Sequence, residues 1–213
     1  MEGDTNVSPF FYPPWMMAHP KELILASRSP RRIKLLAQIG LPARVVPCDI
    51  PEEFDARLTP GQNAASLALR KARCIASGVD DGIIIGADTI VTLDGHLLGK
   101  PADRNDAIRM LELLSGRTHT VATGIALVER PSDQSVDAVE LTEVTFRRLP
   151  RPEIEAYVDG GSPMDKAGAY GIQDDYGAVF VTRIEGCFYN VMGLPLARLY
   201  TLLSEFRHQL RIA

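Results

Sequence analysis

From residue 22 onward, short runs of apolar residues alternate with longer segments in which apolar residues recur every three or four positions. Runs of the first kind predict β-strands, and segments of the second kind predict amphipathic helices. The predicted strands cover residues 23–26, 43–46, 83–91, 118–128, 138–147 and 178–191. The predicted helices begin after Ser29, at Thr59, at Asp103, at Pro152 and at Pro195. Such alternation is typical of a mixed α/β domain.

Local signals mark the ends of several of these elements. Thr59 is followed three residues later by Gln62, the spacing of a capping box at a helix start. The dipeptide Asp94-Gly95 after the strand at 83–91 predicts a tight hairpin turn. That strand is almost entirely apolar, so we expect both of its faces to be buried.

Composition narrows the class of protein. The chain has 213 residues, 46% apolar, and a net charge of −4, which excludes the overall positive field of a general nucleic-acid binder. No apolar run approaches the roughly 18 residues that span a bilayer, so no membrane partner is expected. The odd, widely spaced set Cys48, Cys74 and Cys187 predicts free thiols in a reducing compartment, hence a cytoplasmic protein.

The first 20 residues differ from the rest. Four prolines interrupt their apolar side chains and no Lys or Arg precedes Lys21, which is unlike a signal or transit peptide. We expect residues 1–20 to form a flexible tail and residues 21–213 to form a single domain.

The first candidate for chemistry is the polar segment at residues 27–32, between a strand and a helix start. This segment contains Ser27, Arg31 and Arg32. Their side chains, together with the free backbone N–H groups of the helix start, could bind a phosphate. The alternative is a solvated, basic helix start with a serine cap.

Asp88 is the second candidate, because it lies inside the most apolar strand of the sequence. A carboxylate in such a place needs a cation, a metal or hydrogen-bond donors. The small residues Gly86 and Ala87 allow a ligand to approach the backbone. The alternative is an aspartate that bonds to the backbone of Thr89.

Further charges could complete a phosphate site. Lys100 follows the predicted hairpin, and Lys71 lies on the helix that starts at Thr59, where it could equally be a solvated charge. Glu52 or Glu53 could be a solvated turn residue or a second ligand for Mg²⁺, which takes few carboxylates plus substrate phosphates.

A loop at residues 165–173 combines small residues with Lys166, Tyr170 and Gln173. The amide of Gln173 can both donate to and accept from the edge of a nucleobase, although a plain glycine-rich connection fits equally well. The sequence lacks the phosphate-loop, dinucleotide-fold, zinc-helix and serine-hydrolase motifs. His119 between two threonines is expected to be a strand residue rather than a catalytic base.

Six ordered segments together resemble the Maf family of nucleoside triphosphate pyrophosphatases. They are residues 25–32, 86–89 and 99–101, Ser115-Gly116 with His119 and Val121, and residues 166–173 and 190–195. The resemblance covers about residues 23 to 206. It implies an elongated α/β fold, with a mixed sheet, flanking helices and two lobes around a central cleft.

The resemblance also implies an activity: metal-dependent hydrolysis of a nucleotide between its α- and β-phosphates. Asp88 matches the catalytic acid-base position, and Arg31, Thr89 and Gln173 match positions of the branch that acts on dTTP and UTP. Matches to the phosphate and metal site are Ser27, Arg32, Glu52, Lys71 and Lys100. We expect Glu52 and Asp88 to hold Mg²⁺ or Mn²⁺, Lys71 and Lys100 to assist catalysis, and Lys166 to bind substrate.

The expected partners are nucleoside triphosphates and a second copy of the chain in a homodimer. Modified pyrimidine nucleotides and nucleotide-pool housecleaning fit the same activity. The acidic pair at residues 174–175 is expected to point away from the phosphates. Two alternatives stay open: a nucleotide-binding regulatory module without turnover, and a sugar-phosphate nucleotidyltransferase.

Overall fold

The computed structural model describes residues 21–173 and 176–212. Its strands are β1 (Leu23–Leu25), β2 (Arg44–Val45), β3 (Gly82–Leu93), β4 (His96–Leu98), β5 (Thr118–Arg130), β6 (Ser135–Phe146) and β7 (Val181–Glu185). Its α-helices are α1 (Pro30–Gln38), α2 (Pro60–Ala76), α3 (Arg104–Leu114), α4 (Arg151–Asp159), α5 (Phe188–Val191) and α6 (Leu196–Ile212). Short 3₁₀ turns occupy parts of residues 162–180. The predicted tail at residues 1–20 and the acidic pair at 174–175 lie outside the described residues.

All seven strands belong to one mixed sheet. Its order is β2-β1-β3-β5-β6-β7, and β4 pairs with β3. Strands β2, β1 and β3 run parallel, whereas every other pairing is antiparallel. The sheet with flanking helices confirms the predicted mixed α/β fold of the Maf type. The division into two lobes and the single domain over residues 21–213 stay predictions.

One edge of β3 explains where a site can form. β5 pairs with β3 continuously from Gly82 to Thr92. On the opposite edge, β1 covers only residues 83–85, and β4 covers only residues 91–93. Residues 86–90 therefore have a strand neighbour on one side only. The chain leaves β1 and β4 at the two ends of this gap, which brings residues 27–32 and Lys100 to it.

Helix α2 packs directly on the centre of the sheet. A Cβ atom at Gly86 would lie 2.0 Å from the carbonyl oxygen of Ala68, and one at Gly124 would lie 2.2 Å from the carbonyl carbon of Ala64. Contacts this short leave no room for a side chain, so two glycines on neighbouring strands set the distance between helix and sheet. The start of α2 is fixed by the predicted capping box, in which Thr59 and Gln62 exchange hydrogen bonds.

The hydrophobic core fills both faces of the sheet. Side chains from β1, β3 and β5 pack against α1 and α6 on one face, and others pack against α2 on the opposite face. A third cluster joins α3 and α4 to the far ends of β3, β5 and β6. As predicted, β3 is buried along its whole length except at Thr89, which is half-buried.

The segment after Glu185 differs from the prediction. Of the strands predicted near 178–191, β7 forms, but the extension to residue 191 is wrong, because the chain after Glu185 forms the short helix α5. The buried amide of Asn190 donates to the carbonyl oxygen of Val121 and to the hydroxyl of Thr142, both at 2.9 Å. These bonds hold the apolar segment against the sheet as a helical turn. Periodicity along the chain cannot show such distant partners.

Candidate active site

The gap beside β3 opens into a cavity of about 560 Å³. The ten side chains to which the family resemblance gives a role all line this cavity: Ser27, Arg31, Arg32, Glu52, Lys71, Asp88, Thr89, Lys100, Lys166 and Gln173. Glu53, the alternative to Glu52, is not among its lining residues. The structure therefore brings together residues that are up to 146 positions apart in the sequence. Their individual roles stay predictions.

Lys71 lies between two carboxylates at the centre of the cavity. Its ammonium nitrogen is 2.5 Å from Oδ1 of Asp88 and 2.8 Å from Oε1 of Glu52. The side chains of Lys71 and Asp88 are 12% and 9% exposed, whereas that of Glu52 is 44% exposed. Lys71 is thus part of a buried ion-pair network and not a solvated helix charge.

The two carboxylates have shifted pKa values in opposite directions. Burial raises the pKa of Asp88, against the opposing effect of Lys71 and Arg32. Burial also acts to raise the pKa of Glu52, but its hydrogen bond to Lys71 and the charges of Lys71 and Lys100 outweigh burial and lower it. Asp88 is therefore a stronger base than an ordinary aspartate, a property suited to accepting a proton from water.

Arg32 is held in one orientation by three acceptors. Its Nε donates to the carbonyl oxygen of Gly193 at 2.7 Å, and its terminal nitrogens donate to the hydroxyls of Ser27 at 3.3 Å and Thr89 at 3.1 Å. A guanidinium has five N–H groups, so these bonds leave one donor on each terminal nitrogen for an anion. Burial lowers the pKa of Arg32, while the charge of Asp88 opposes that shift.

Gly193 makes this arrangement possible. Its φ of +102° lies in a region that side-chain-bearing residues rarely adopt. A Cβ there would also lie 3.3 Å from the hydroxyl of Thr89. A glycine lets the carbonyl reach Arg32 without crowding Thr89.

A second ion-pair group lies on another wall of the cavity. The carboxylate of Asp165 accepts from Arg31 and from Lys166, each at 2.9 Å. Burial acts to raise the pKa of Asp165, but these two cations outweigh burial and lower it. Sequence reasoning placed Asp165 in a loop and gave it no role, because only the fold brings Arg31 of α1 next to it.

The loop that carries Lys166 and Gln173 is anchored through Tyr170. The hydroxyl of Tyr170 lies 2.8 Å from Nε2 of His119, and both rings contact Phe146 edge to face. His119 is 2% exposed and lies on β5, which confirms that it is a strand residue. Burial raises the pKa of Tyr170, so its hydroxyl stays protonated.

His119 makes the protein sensitive to mild acid. Burial lowers its pKa from 6.5 to about 4. Between these values the unfolded chain binds a proton that the folded chain does not, so stability falls as the pH is lowered from about 6.5 to 4. We expect this group to contribute a loss of roughly 3 kcal/mol in the free energy of unfolding. Urea denaturation at pH 7 and pH 5 is expected to show roughly 2 kcal/mol of this loss, since the titration is complete only near pH 4.

The control for this prediction is His119→Gln, which keeps a polar group near Tyr170 but does not titrate. The variant is expected to be less stable than the wild type at pH 7 but to lose less stability between pH 7 and pH 5. Equal losses in the two proteins would show that other groups cause the acid sensitivity.

Cys48, which lines the cavity, offers no thiolate nucleophile. All three cysteines are free thiols, as predicted. Burial raises the pKa of Cys48 to about 12, and its contact with the thiol of Cys74 adds to the shift. Cys48 lines the cavity but stays protonated at neutral pH, so it cannot act as a thiolate there.

The pair of carboxylates, Asp88 and Glu52, has the oxygen donors that a hard divalent cation prefers. Within residues 21–173 and 176–212, no three His, Cys, Asp or Glu side chains converge on one point, so a metal cage built from protein alone is absent there. Asp88 and Glu52 do converge, on the same nitrogen of Lys71. Two carboxylates with substrate phosphates are the usual ligands of Mg²⁺, so this pair fits such an ion.

The fold and the site together define an α/β protein whose cationic pocket surrounds one buried carboxylate. None of the helices in the described part of the chain has the length and apolarity that crossing a bilayer requires. The sequence profile of the family described as Maf-like protein matches residues 22–206. The chain therefore belongs to the Maf-like protein family.

Curated relatives match the chain over most of its length. A dTTP/UTP pyrophosphatase of Moorella thermoacetica is 50% identical over 185 residues, which are 87% of this chain and 95% of the relative. One of Dictyoglomus turgidum is 49% identical over 191 residues, covering 89% and 98%. One of Acetivibrio thermocellus is 48% identical over 192 residues, covering 87% and 95%.

Proposed function

We propose that the protein hydrolyses dTTP and UTP to the monophosphate and pyrophosphate. The observation that carries the proposal is the network in which Lys71 joins Asp88 to Glu52, inside a pocket lined by further cations. The names of the similar proteins, at 48–50% identity over nearly their full length, support the choice of substrates.

In the proposed reaction, water attacks the α-phosphorus and the bond from that phosphorus to the bridging oxygen breaks. Asp88 orients the water and accepts its proton, for which a raised pKa is favourable. Arg32, Lys71 and Lys100 surround the phosphates and stabilise the charge that develops on the leaving pyrophosphate. Arg31 and Lys166 extend this cationic surface, and Gln173 is proposed to contact the base.

We also propose a divalent cation, Mg²⁺ or Mn²⁺, held by Asp88 and Glu52 together with the substrate phosphates. When bound, it supplies Lewis-acid polarisation of the phosphoryl group. A homodimer, a cytoplasmic location and the absence of nucleic-acid and membrane partners stay predictions from the sequence, as do modified pyrimidine substrates and a housecleaning purpose.

The test is to incubate the purified chain with dTTP, UTP, CTP, GTP and ATP plus Mg²⁺ or Mn²⁺ and to separate the products by chromatography. We expect monophosphate and pyrophosphate from dTTP and UTP, and loss of turnover on addition of EDTA that excess Mg²⁺ or Mn²⁺ restores. Release of orthophosphate would place the cleavage at another bond. Binding without turnover would favour the regulatory module, and pyrophosphate released only with an added sugar phosphate would favour the nucleotidyltransferase.

A further inference from the structure

A row of two hydroxyls, one on a half-buried and one on a fully buried threonine, adjoins Arg32. Thr89 of β3 and Thr123 of β5 are direct cross-strand neighbours, and their hydroxyl oxygens are 3.0 Å apart. Thr123 is 0% exposed, so its hydroxyl cannot reach a ligand in the cavity. It touches two polar groups, the hydroxyl of Thr89 and the carbonyl oxygen of Asn190 at 3.0 Å.

The direction of these hydrogen bonds follows from counting protons. A carbonyl oxygen only accepts, so the single hydroxyl proton of Thr123 points to Asn190. Thr89 must then donate its own proton to Thr123. Because the hydroxyl proton of Thr89 is used in that bond, the Thr89 oxygen acts toward Arg32 as an acceptor. Arg32 donates to this oxygen at 3.1 Å. The bonds run one way, from Arg32 through Thr89 and Thr123 to Asn190.

The far end of this row is rigid. Asn190 is 0% exposed, and its amide is bonded to Val121 of β5 and Thr142 of β6. Three residues later, the carbonyl oxygen of Gly193 accepts from Nε of Arg32. The same short segment therefore fixes the guanidinium twice, directly through Gly193 and indirectly through Thr123 and Thr89.

We infer that Thr123 is a positioning residue that orients the Arg32 guanidinium toward the phosphates by fixing the proton of Thr89. The inference rests on the proposed function for the identity of the bound group, a polyphosphate. In this arrangement a buried hydroxyl that does not contact the substrate sets the orientation of the Arg32 guanidinium, which contacts the phosphates. Because that cation meets phosphate and not base, the effect of Thr123 is the same for dTTP and UTP.

The test compares Thr123→Val, which removes the hydroxyl at nearly constant size, with Thr123→Ser, which retains it. The readouts are kcat and KM for dTTP and UTP, and the affinity for inorganic pyrophosphate measured by calorimetry. We expect Thr123→Val to lower kcat/KM about tenfold for both nucleotides and to weaken pyrophosphate binding by a similar factor, the effect of losing the hydrogen bond that Thr89 accepts from the charged Arg32. Thr123→Ser is expected to restore both to within about threefold.

A double-mutant cycle separates positioning from a general loss of structure. Thr89→Val breaks the row at its middle, so adding Thr123→Val to it is expected to have little further effect on pyrophosphate affinity. A full tenfold further loss in the double variant, or a Thr123→Val protein with wild-type pyrophosphate affinity, would overturn the inference. If the wild type hydrolyses neither nucleotide, the proposed function fails, and calorimetry with pyrophosphate still decides the role of Thr123.

Discussion

Replacing Asp88 with asparagine is expected to lower kcat for dTTP about 10³-fold, within the range that a general base contributes. The amide keeps the shape of the carboxylate but can neither accept the proton of water nor balance the charge of Lys71. Stability is also expected to fall. The substitution removes one of the two carboxylates that pair with Lys71, whose side chain is only 12% exposed, and so leaves a buried charge less well compensated.

The measurement is therefore a pair: steady-state turnover of dTTP and the midpoint of thermal unfolding for the same protein. Asp137→Asn is the matched control, because Asp137 is an exposed residue of β6 outside the cavity lining. We expect that control to match the wild type in both. Turnover of Asp88→Asn within threefold of the wild type would remove Asp88 from the mechanism.

The second large effect is expected from Gly124→Ala. The added methyl would lie 2.2–2.3 Å from backbone atoms of Ala64 and Ala65, which cannot rotate away. Helix α2 must then move off the sheet, at an expected cost of about 3 kcal/mol in the free energy of unfolding. Since α2 carries Lys71, the same movement is expected to lower kcat/KM.

Urea denaturation and dTTP turnover measure the two effects on one sample. Gly78→Ala is the control, since the nearest atom to a Cβ there is 3.8 Å away. That variant is expected to stay within about 0.5 kcal/mol of the wild type, as surface substitutions usually do. Gly124→Ala with wild-type stability would mean that α2 does not approach β5 as closely as described.

Much of this fold could be predicted from local sequence signals, because the interactions behind those signals join residues that are close together in the sequence. The capping box at Thr59 uses bonds within four residues, and the turn at Asp94-Gly95 joins strands that adjoin in sequence. Asp88 could be singled out from the sequence because a buried strand tolerates few charged residues. Their convergence on one cavity also agrees with the resemblance of the ordered segments to one family.

What the sequence could not show depends on distant parts of the chain. The helical turn at α5 is held by Asn190 bonds to strands 48 and 69 residues away. From the sequence alone, Thr123 is an ordinary strand residue. Its connection to Arg32 through Thr89, and its bond to Asn190, exist only in the folded structure. Gly124 could be read as a break in a strand, whereas its importance comes from a helix that begins more than 60 residues earlier.

The position of Lys71 between Asp88 and Glu52 has one further consequence. The pocket itself supplies the counter-ions of Lys71, so an anion that binds there must compete with the carboxylates of Asp88 and Glu52. A monovalent or divalent anion from the surrounding solution gains little from that exchange, whereas a triphosphate brings several charges that can interact with Arg32 and Lys100 as well. We therefore expect these ion pairs to make the pocket bind a triphosphate in preference to small anions.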